Sequence, residues 1–166
     1  MTRPLTILYA EDEENDVFFL ERAFKLVGSP HTLKAVPDGA QALEYLAGEG
    51  IFSDRTRHPF PDLILLDINM PKKSGFEVLK WVRSQSRYKL LPTLILTSSS
   101  RPEDMENASQ LGADAYLLKP SDPLKLLEVV RSLQEHWLSQ PAIASEALVG
   151  FVPARYSSLL DAPSSS

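Results

Sequence analysis

Four short apolar runs in this chain lead into residues able to do chemistry. "LTILYA" runs into Glu11 and Asp12, "DLILLD" closes on Asp67, "TLILT" on Thr97 and "AYLLK" on Lys119. Three carboxylates brought together repel one another strongly unless a cation joins them. An oxygen-only cluster suits Mg²⁺, which keeps several waters and takes few protein oxygens. Lys119 adds an ammonium and Thr97 a hydroxyl. Such a set describes a receptacle for a phosphoryl group, and one carboxylate can itself be the acceptor, as an aspartyl phosphate. Singly, each residue has a duller reading. Asp67 suits a turn, Glu11 and Asp12 suit a first helical turn, and Thr97 and Lys119 suit the end of a strand. Tyr116, at an alternating strand position, suits the core. The chemistry requires a fold that gathers them.

The hydrophobic pattern supplies one. Strands are predicted over Leu5–Ala10, Thr32–Val36, Leu63–Leu66, Thr93–Thr97 and Ala115–Lys119. Between them, apolar residues recur at three- and four-residue steps. Val17, Leu20, Phe24 and Val27 mark a first helix, stopped by Gly28 and Pro30, and Ala40, Leu43 and Leu46 a second, closed by Gly48 and Gly50. Phe76, Val78, Leu79 and Val82 mark a third. Ser100 and Glu103 have capping-box spacing ahead of a fourth, which ends at Gly112. Asp122 and Pro123 open the last, with Leu126, Val130, Leu133 and Trp137 on its stripe. Residues 48–61 read as a long loop. Alternating strands and helices imply a parallel sheet covered on both faces. The expected fold is a doubly wound, five-stranded parallel α/β sheet of flavodoxin-like order 2-1-3-4-5. Its site then lies beyond the C-terminal strand ends, between the first and third strands, where Glu11, Asp12 and Asp67 fall.

Composition bounds the alternatives. The chain has 166 residues, 43% of them hydrophobic, which supports a packed core. Lys and Arg total 17 against 22 Asp and Glu, with no long basic run, so nucleic acid is not an expected partner. Absence of cysteine excludes disulfides and thiolate metal sites. Neither a signal peptide nor a membrane-spanning run is read, and a cytoplasmic protein is expected. Residues 1–139 form one expected domain. Residues 140–166 form a partly apolar, serine-ended tail without a helix-turn-helix pattern.

The segments "YAEDEE", "LLDINMP", "LILTSSS" and "AYLLKP" resemble, in order and spacing, the signature segments of response-regulator receiver domains, over about residues 4–138. That resemblance implies Asp67 as phosphoacceptor from a sensor histidine kinase. It implies Asp12, Asp67 and the backbone carbonyl of Asn69 as Mg²⁺ ligands, with Glu11 acting through a metal-bound water. Glu11 departs from the aspartate commoner there. Lys119 would pair with the phosphoryl oxygens, Thr97 would move to bond them, and Tyr116 would swing inward as the switch aromatic. Asn69 and Ser99 hold the positions that tune phosphoryl lifetime, and a cis Lys119–Pro120 peptide is expected. The long loop, the "MPKK" turn and "LQEHWL" further resemble small single-domain regulators paired with bacterial phytochromes.

The reading that follows is a phosphoacceptor signalling protein rather than an enzyme, its output being protein–protein binding. A homodimer is expected through the last helix face or the tail. Two rivals stay open. A phosphohydrolase using an aspartyl phosphate usually carries a second acid where Asn69 stands, and a pseudo-receiver would act unphosphorylated. His31, His58 and His136 lack metal-ligand spacing and read as surface residues, and Lys72 and Lys73 read as solvating the turn.

Overall fold

The computed structural model describes residues 3–139; the expected tail, 140–166, lies outside the described residues. Five strands alternate with five helices: β1 (Thr6–Ala10), α1 (Glu14–Leu26), β2 (Thr32–Val36), α2 (Gly39–Ala47), β3 (Leu63–Leu66), α3 (Gly75–Ser84), β4 (Thr93–Thr97), α4 (Pro102–Gln110), β5 (Ala115–Leu118) and α5 (Pro123–Leu133). The sheet runs β2-β1-β3-β4-β5 with every pair parallel, the expected doubly wound order. Every residue of β1, β3 and β4 is buried, because neighbours flank these strands and helices cover both faces. The edge strand β2 is mostly half-buried or exposed, as its polar alternation requires.

Side chains alternate across the strands and feed two cores. Ile7, Tyr9, Leu65 and Leu96 pack with Leu20 and Phe24 of α1 and Val130 and Leu133 of α5. Leu8, Ile64, Leu66 and Ile95 pack with Tyr45, Leu79, Val82 and Ala108 from α2, α3 and α4. Fully burying one such aliphatic side chain stabilises by about 1.5–3 kcal/mol, so the sheet is a rigid platform for whatever its edge carries.

Several local expectations are corrected. The buried stripe of α2 is Ala42, Tyr45 and Leu46, with Ala40 and Leu43 only half-buried. The Tyr45 ring fills the core while its hydroxyl donates to the Pro59 carbonyl at 2.8 Å, so a polar tip conceals a core residue. Ser100 does not cap α4. Pro102 starts that helix, Arg101 is its N-cap, and the Arg101 guanidinium pairs with Glu103 at 2.8 Å. The capping box stands instead on α3, where Ser74 Oγ accepts from the Glu77 N–H and Glu77 Oε2 accepts from the Ser74 N–H. Residues 48–61 are the expected long loop, with one 3₁₀ turn at Gly50–Phe52. Arg55 donates to the carbonyls of Leu46 and His58, and the His58 ring packs edge to face against both Tyr45 and Phe52. All three histidines are half-buried rather than on the surface; His31 Nδ1 accepts from the Leu5 N–H at 2.9 Å. After α5 the helix widens into a π turn over Gln134–Leu138 that buries Trp137. No helix among the described residues is long and apolar enough to cross a membrane.

Candidate functional site

The ladder of backbone hydrogen bonds continues one residue past the strands and fixes the base of the site. The Glu11 N–H donates to the Val36 carbonyl at 3.0 Å, the Asp67 N–H to the Ala10 carbonyl at 3.1 Å and the Lys119 N–H to the Thr97 carbonyl at 2.8 Å. Ala10 pairs with Leu66 in register, so Glu11 and Asp67 leave adjacent strands side by side. Beyond Asp67 the chain turns sharply, and the Gly75 N–H donates back to the Ile68 carbonyl at 3.0 Å. A Cβ on Gly75 would lie 2.2 Å from the Asp67 carbonyl oxygen, so only glycine permits this approach. Pro71 and Lys72 form the outer bend. Lys72 adopts φ 68°, and its ammonium lies 3.7 Å from Asp38.

Glu11, Asp12 and Asp67 each place a carboxylate oxygen so that all three lie within 4.8 Å of one another. Asp12 is exposed, while Glu11 is 2% and Asp67 6% exposed. Three converging acids, two of them buried, form a donor set fit for a hard divalent cation bound through oxygen. Asp67 Oδ1 accepts from the Asn69 N–H at 3.4 Å, and its Oδ2 accepts from Lys119 Nζ at 2.8 Å. The Lys119 ammonium also donates to Glu11 and, at 2.9 Å, to Asp16 Oδ2.

These contacts shape the acidities. Burial pushes the Glu11 carboxyl up to about 7, opposed by its bond to Lys119 and reinforced by the Asp67 charge. Burial works against the Lys119 ammonium, but its bonds to Asp67, Glu11 and Asp16 outweigh it and hold the group firmly protonated. Tyr9, buried in β1, donates its hydroxyl to Glu11 Oε1 at 3.1 Å, and burial raises that phenol far above its ordinary value.

Thr97 is fully buried, and its Oγ1 accepts from the Ser99 N–H at 3.3 Å. Ser99 then connects to two further groups. Its carbonyl accepts from the Tyr116 hydroxyl at 2.8 Å, and its own hydroxyl donates to Asp104 on α4 at 2.5 Å. Tyr116 lies within the core on the α3–α4 side, where burial pushes its phenol up to about 12.

The sequence-predicted set therefore meets at one sheet edge: Glu11, Asp12, Asp67 and Lys119 in direct proximity, Thr97 and Tyr116 joined through Ser99. Sequence reasoning missed Tyr9 and Asp16. Tyr9 was signalled by its position two before Glu11 on a strand, which puts both on one face. Asp16 carries no such mark, since acids in a first helical turn are ordinary. The expected cis peptide is not present: every described peptide bond is trans, including Lys119–Pro120, the form an X-Pro bond prefers by about 0.5–1 kcal/mol.

Comparison with known proteins adds the family. The response regulator receiver domain pattern matches residues 7–131. Response regulator Rcp1 of a Synechocystis species is 32% identical over 135 residues, covering 81% of this chain and 90% of that protein. The phosphorylated cyanobacterial phytochrome response regulator RcpA superposes with a TM-score of 0.76 at 33% identity, over 82% of this chain and 96% of that one. The Mn²⁺-bound form of Rcp1 gives 0.73 at 32% identity, over 81% and 95%. The chain, with its acidic pocket at the C-terminal edge of a 2-1-3-4-5 sheet, belongs to the response regulator receiver domain family of two-component signalling proteins.

Proposed function

We propose that this chain is a phosphorylation switch in which Asp67 accepts a phosphoryl group from a sensor histidine kinase of the phytochrome type. One observation carries the reading: three carboxylate oxygens lie within 4.8 Å of one another while Lys119 Nζ is held 2.8 Å from Asp67 Oδ2. Mg²⁺ would be held by Asp12, Asp67 and the Asn69 backbone carbonyl, with Glu11 acting through a water. Bound there, the ion neutralises charge on the transferring group. An Asp67 carboxylate oxygen attacks the phosphorus of phosphohistidine; the P–O bond forms as the P–N bond breaks, and the imidazole leaves. Lys119 donates to the equatorial oxygens. Thr97 turns its hydroxyl toward the new phosphoryl group and gives up the Ser99 N–H it accepts. Ser99 also holds the Tyr116 hydroxyl and Asp104, so this release reaches β5 and α4 together.

The kinase partner is supported by exposed apolar side chains beside the site. On α1, Phe18 is 58% and Phe19 40% exposed, and Leu124 at the start of α5 is 70% exposed. A homodimer through the α5 face would cover Leu124, and sedimentation before and after phosphorylation tests it. The likeness to Rcp1 and RcpA supports the phytochrome pairing.

Intact mass after incubation with Mg²⁺ and acetyl phosphate tests the central step. A lasting single phosphoryl adduct, lost in Asp67→Asn, is expected. Rapid phosphate release without an adduct indicates a phosphohydrolase, a reading the amide at Asn69 disfavours. No reaction indicates a pseudo-receiver, against which the complete set of Asp12, Asp67, Thr97 and Lys119 stands.

A further inference from the structure

We infer that Asp16 is a positioning residue for the chemistry at Asp67, acting through Lys119; this rests on the function proposed above. An ammonium has three N–H donors. Lys119 directs its three contacts to Glu11 Oε1, to Asp67 Oδ2 at 2.8 Å and to Asp16 Oδ2 at 2.9 Å. These partners are not equivalent. Glu11 and Asp67 belong to the cluster whose oxygens converge for a cation, and Asp16 does not. A cation among Glu11, Asp12 and Asp67 competes with the ammonium for their lone pairs. Asp16 is outside that competition, and its described side-chain bond is to Lys119 alone.

The tether matters because the lysine has somewhere else to go. A cavity of about 110 Å³ opens beside its stem, lined by Phe19, Leu20, Leu96, Pro123 and Leu126, with Tyr9 and Asp16 on its wall. A four-carbon stem carries considerable rotamer freedom. With Asp16 in place, the ammonium is pinned between α1 and the end of β3, aimed at the Asp67 oxygen. Without it, once a cation has drawn Glu11 and Asp67 away, the stem is free to sample the cavity. Asp16 thus keeps Lys119 poised at the moment when an incoming phosphoryl oxygen needs a donor, which is pre-organisation in the ordinary sense.

Calorimetric titration of the full chain distinguishes this tether from a structural role. Beryllium fluoride at saturating Mg²⁺ is the phosphoryl mimic, and Mg²⁺ alone is the control. For Asp16→Ala, beryllium fluoride affinity is expected to fall roughly fivefold, the scale of a partly exposed ion pair. Mg²⁺ affinity should stay within about twofold, since Asp16 is outside the cation cluster. The urea midpoint should barely move, and Asp16→Glu should recover most of the loss. Beryllium fluoride binding that is unchanged or tighter in Asp16→Ala overturns the inference. So does an equal loss of Mg²⁺ affinity, which would make Asp16 part of the field at the metal, or failure of Asp16→Glu to rescue. A wild-type chain that binds no beryllium fluoride overturns the phosphorylation reading and the tether with it; a wild type that binds, matched by Asp16→Ala, overturns the tether alone.

Discussion

Lys119 Nζ lies 2.8 Å from Asp67 Oδ2, although the two residues close strands that β4 separates. The same ammonium is the charge partner of Glu11, whose side chain is wholly inaccessible. Buried acids at a sheet edge are tolerated only when paired. Lys119 therefore has a structural part beside the phosphoryl-binding one proposed for it.

Lys119→Met keeps the length of the side chain and removes its charge. Breaking a buried pair costs about 3–5 kcal/mol, because the remaining ion is left uncompensated. The loss should be large near pH 8, where Glu11 is ionised. It should shrink near pH 5, where a carboxyl pushed up to about 7 is protonated. Urea unfolding at the two pH values checks this; equal losses at both would show that Glu11 is not the group left unpaired.

Glu11 makes the metal-free protein pH-sensitive in a defined direction. Its folded acidity constant is raised from 4.5 to about 7. A raised value means the group favours folding while protonated; that contribution is complete below about pH 4.5 and is lost as pH rises through about 7. On the proposed reading Mg²⁺ would bind the ionised cluster, so its affinity should climb with pH up to about 7 and then level off, with proton release on binding. Denaturation with and without Mg²⁺ across this range reads both trends, and Glu11→Gln should flatten each.

What the sequence disclosed follows from where the determinants lie. β1, β3 and β4 are buried on both faces, so uninterrupted apolar runs announced them, and the strand ends then located Glu11, Asp12, Asp67, Thr97 and Lys119. Asp16 stayed hidden because its partner is 103 residues away, and nothing local distinguishes it from a helix-dipole acid. The bonding of residues 48–61 was hidden for a different reason: it rests on side chains that read as polar loop or helix residues. Tyr45 donates to the Pro59 carbonyl, and Arg55, within the segment, donates back to the Leu46 carbonyl. At α4 the spacing of Ser100 and Glu103 suggested a capping box, but Pro102 sets the helix start so that Arg101 takes the N-cap position.

Gly75 connects fold and site at one atom. A methyl group there would sit 2.2 Å from the Asp67 carbonyl oxygen, a backbone atom that cannot rotate away. Gly75→Ala should destabilise the domain by about 1–3 kcal/mol, as overpacking does. It should also slow phosphorylation by acetyl phosphate, because relief requires moving the Asp67 backbone. Ser74→Ala, one residue earlier, removes the α3 cap for about 1 kcal/mol and should leave the phosphorylation rate near wild type. Parallel urea and mass measurements separate the two effects; an unchanged rate in Gly75→Ala would refute the coupling.

Tyr9 tunes the acid beside it. Its hydroxyl donates to Glu11 Oε1 at 3.1 Å from a buried ring whose ionisation is pushed beyond any working pH, so it is always a donor. A donor favours the charged form of the carboxylate it serves. Tyr9→Phe deletes that donor and keeps the ring that fills the α1–α5 core. Glu11 should then titrate still higher than about 7. A lost hydrogen bond to a charged group is worth roughly 1.5 kcal/mol or somewhat less here, so the midpoint of the pH dependence of Mg²⁺ affinity should move up by roughly half to one unit. Below that midpoint the variant binds Mg²⁺ more weakly than wild type, and well above it the two converge. Convergence separates loss of the donor from damage to the pocket, which would weaken Mg²⁺ at every pH.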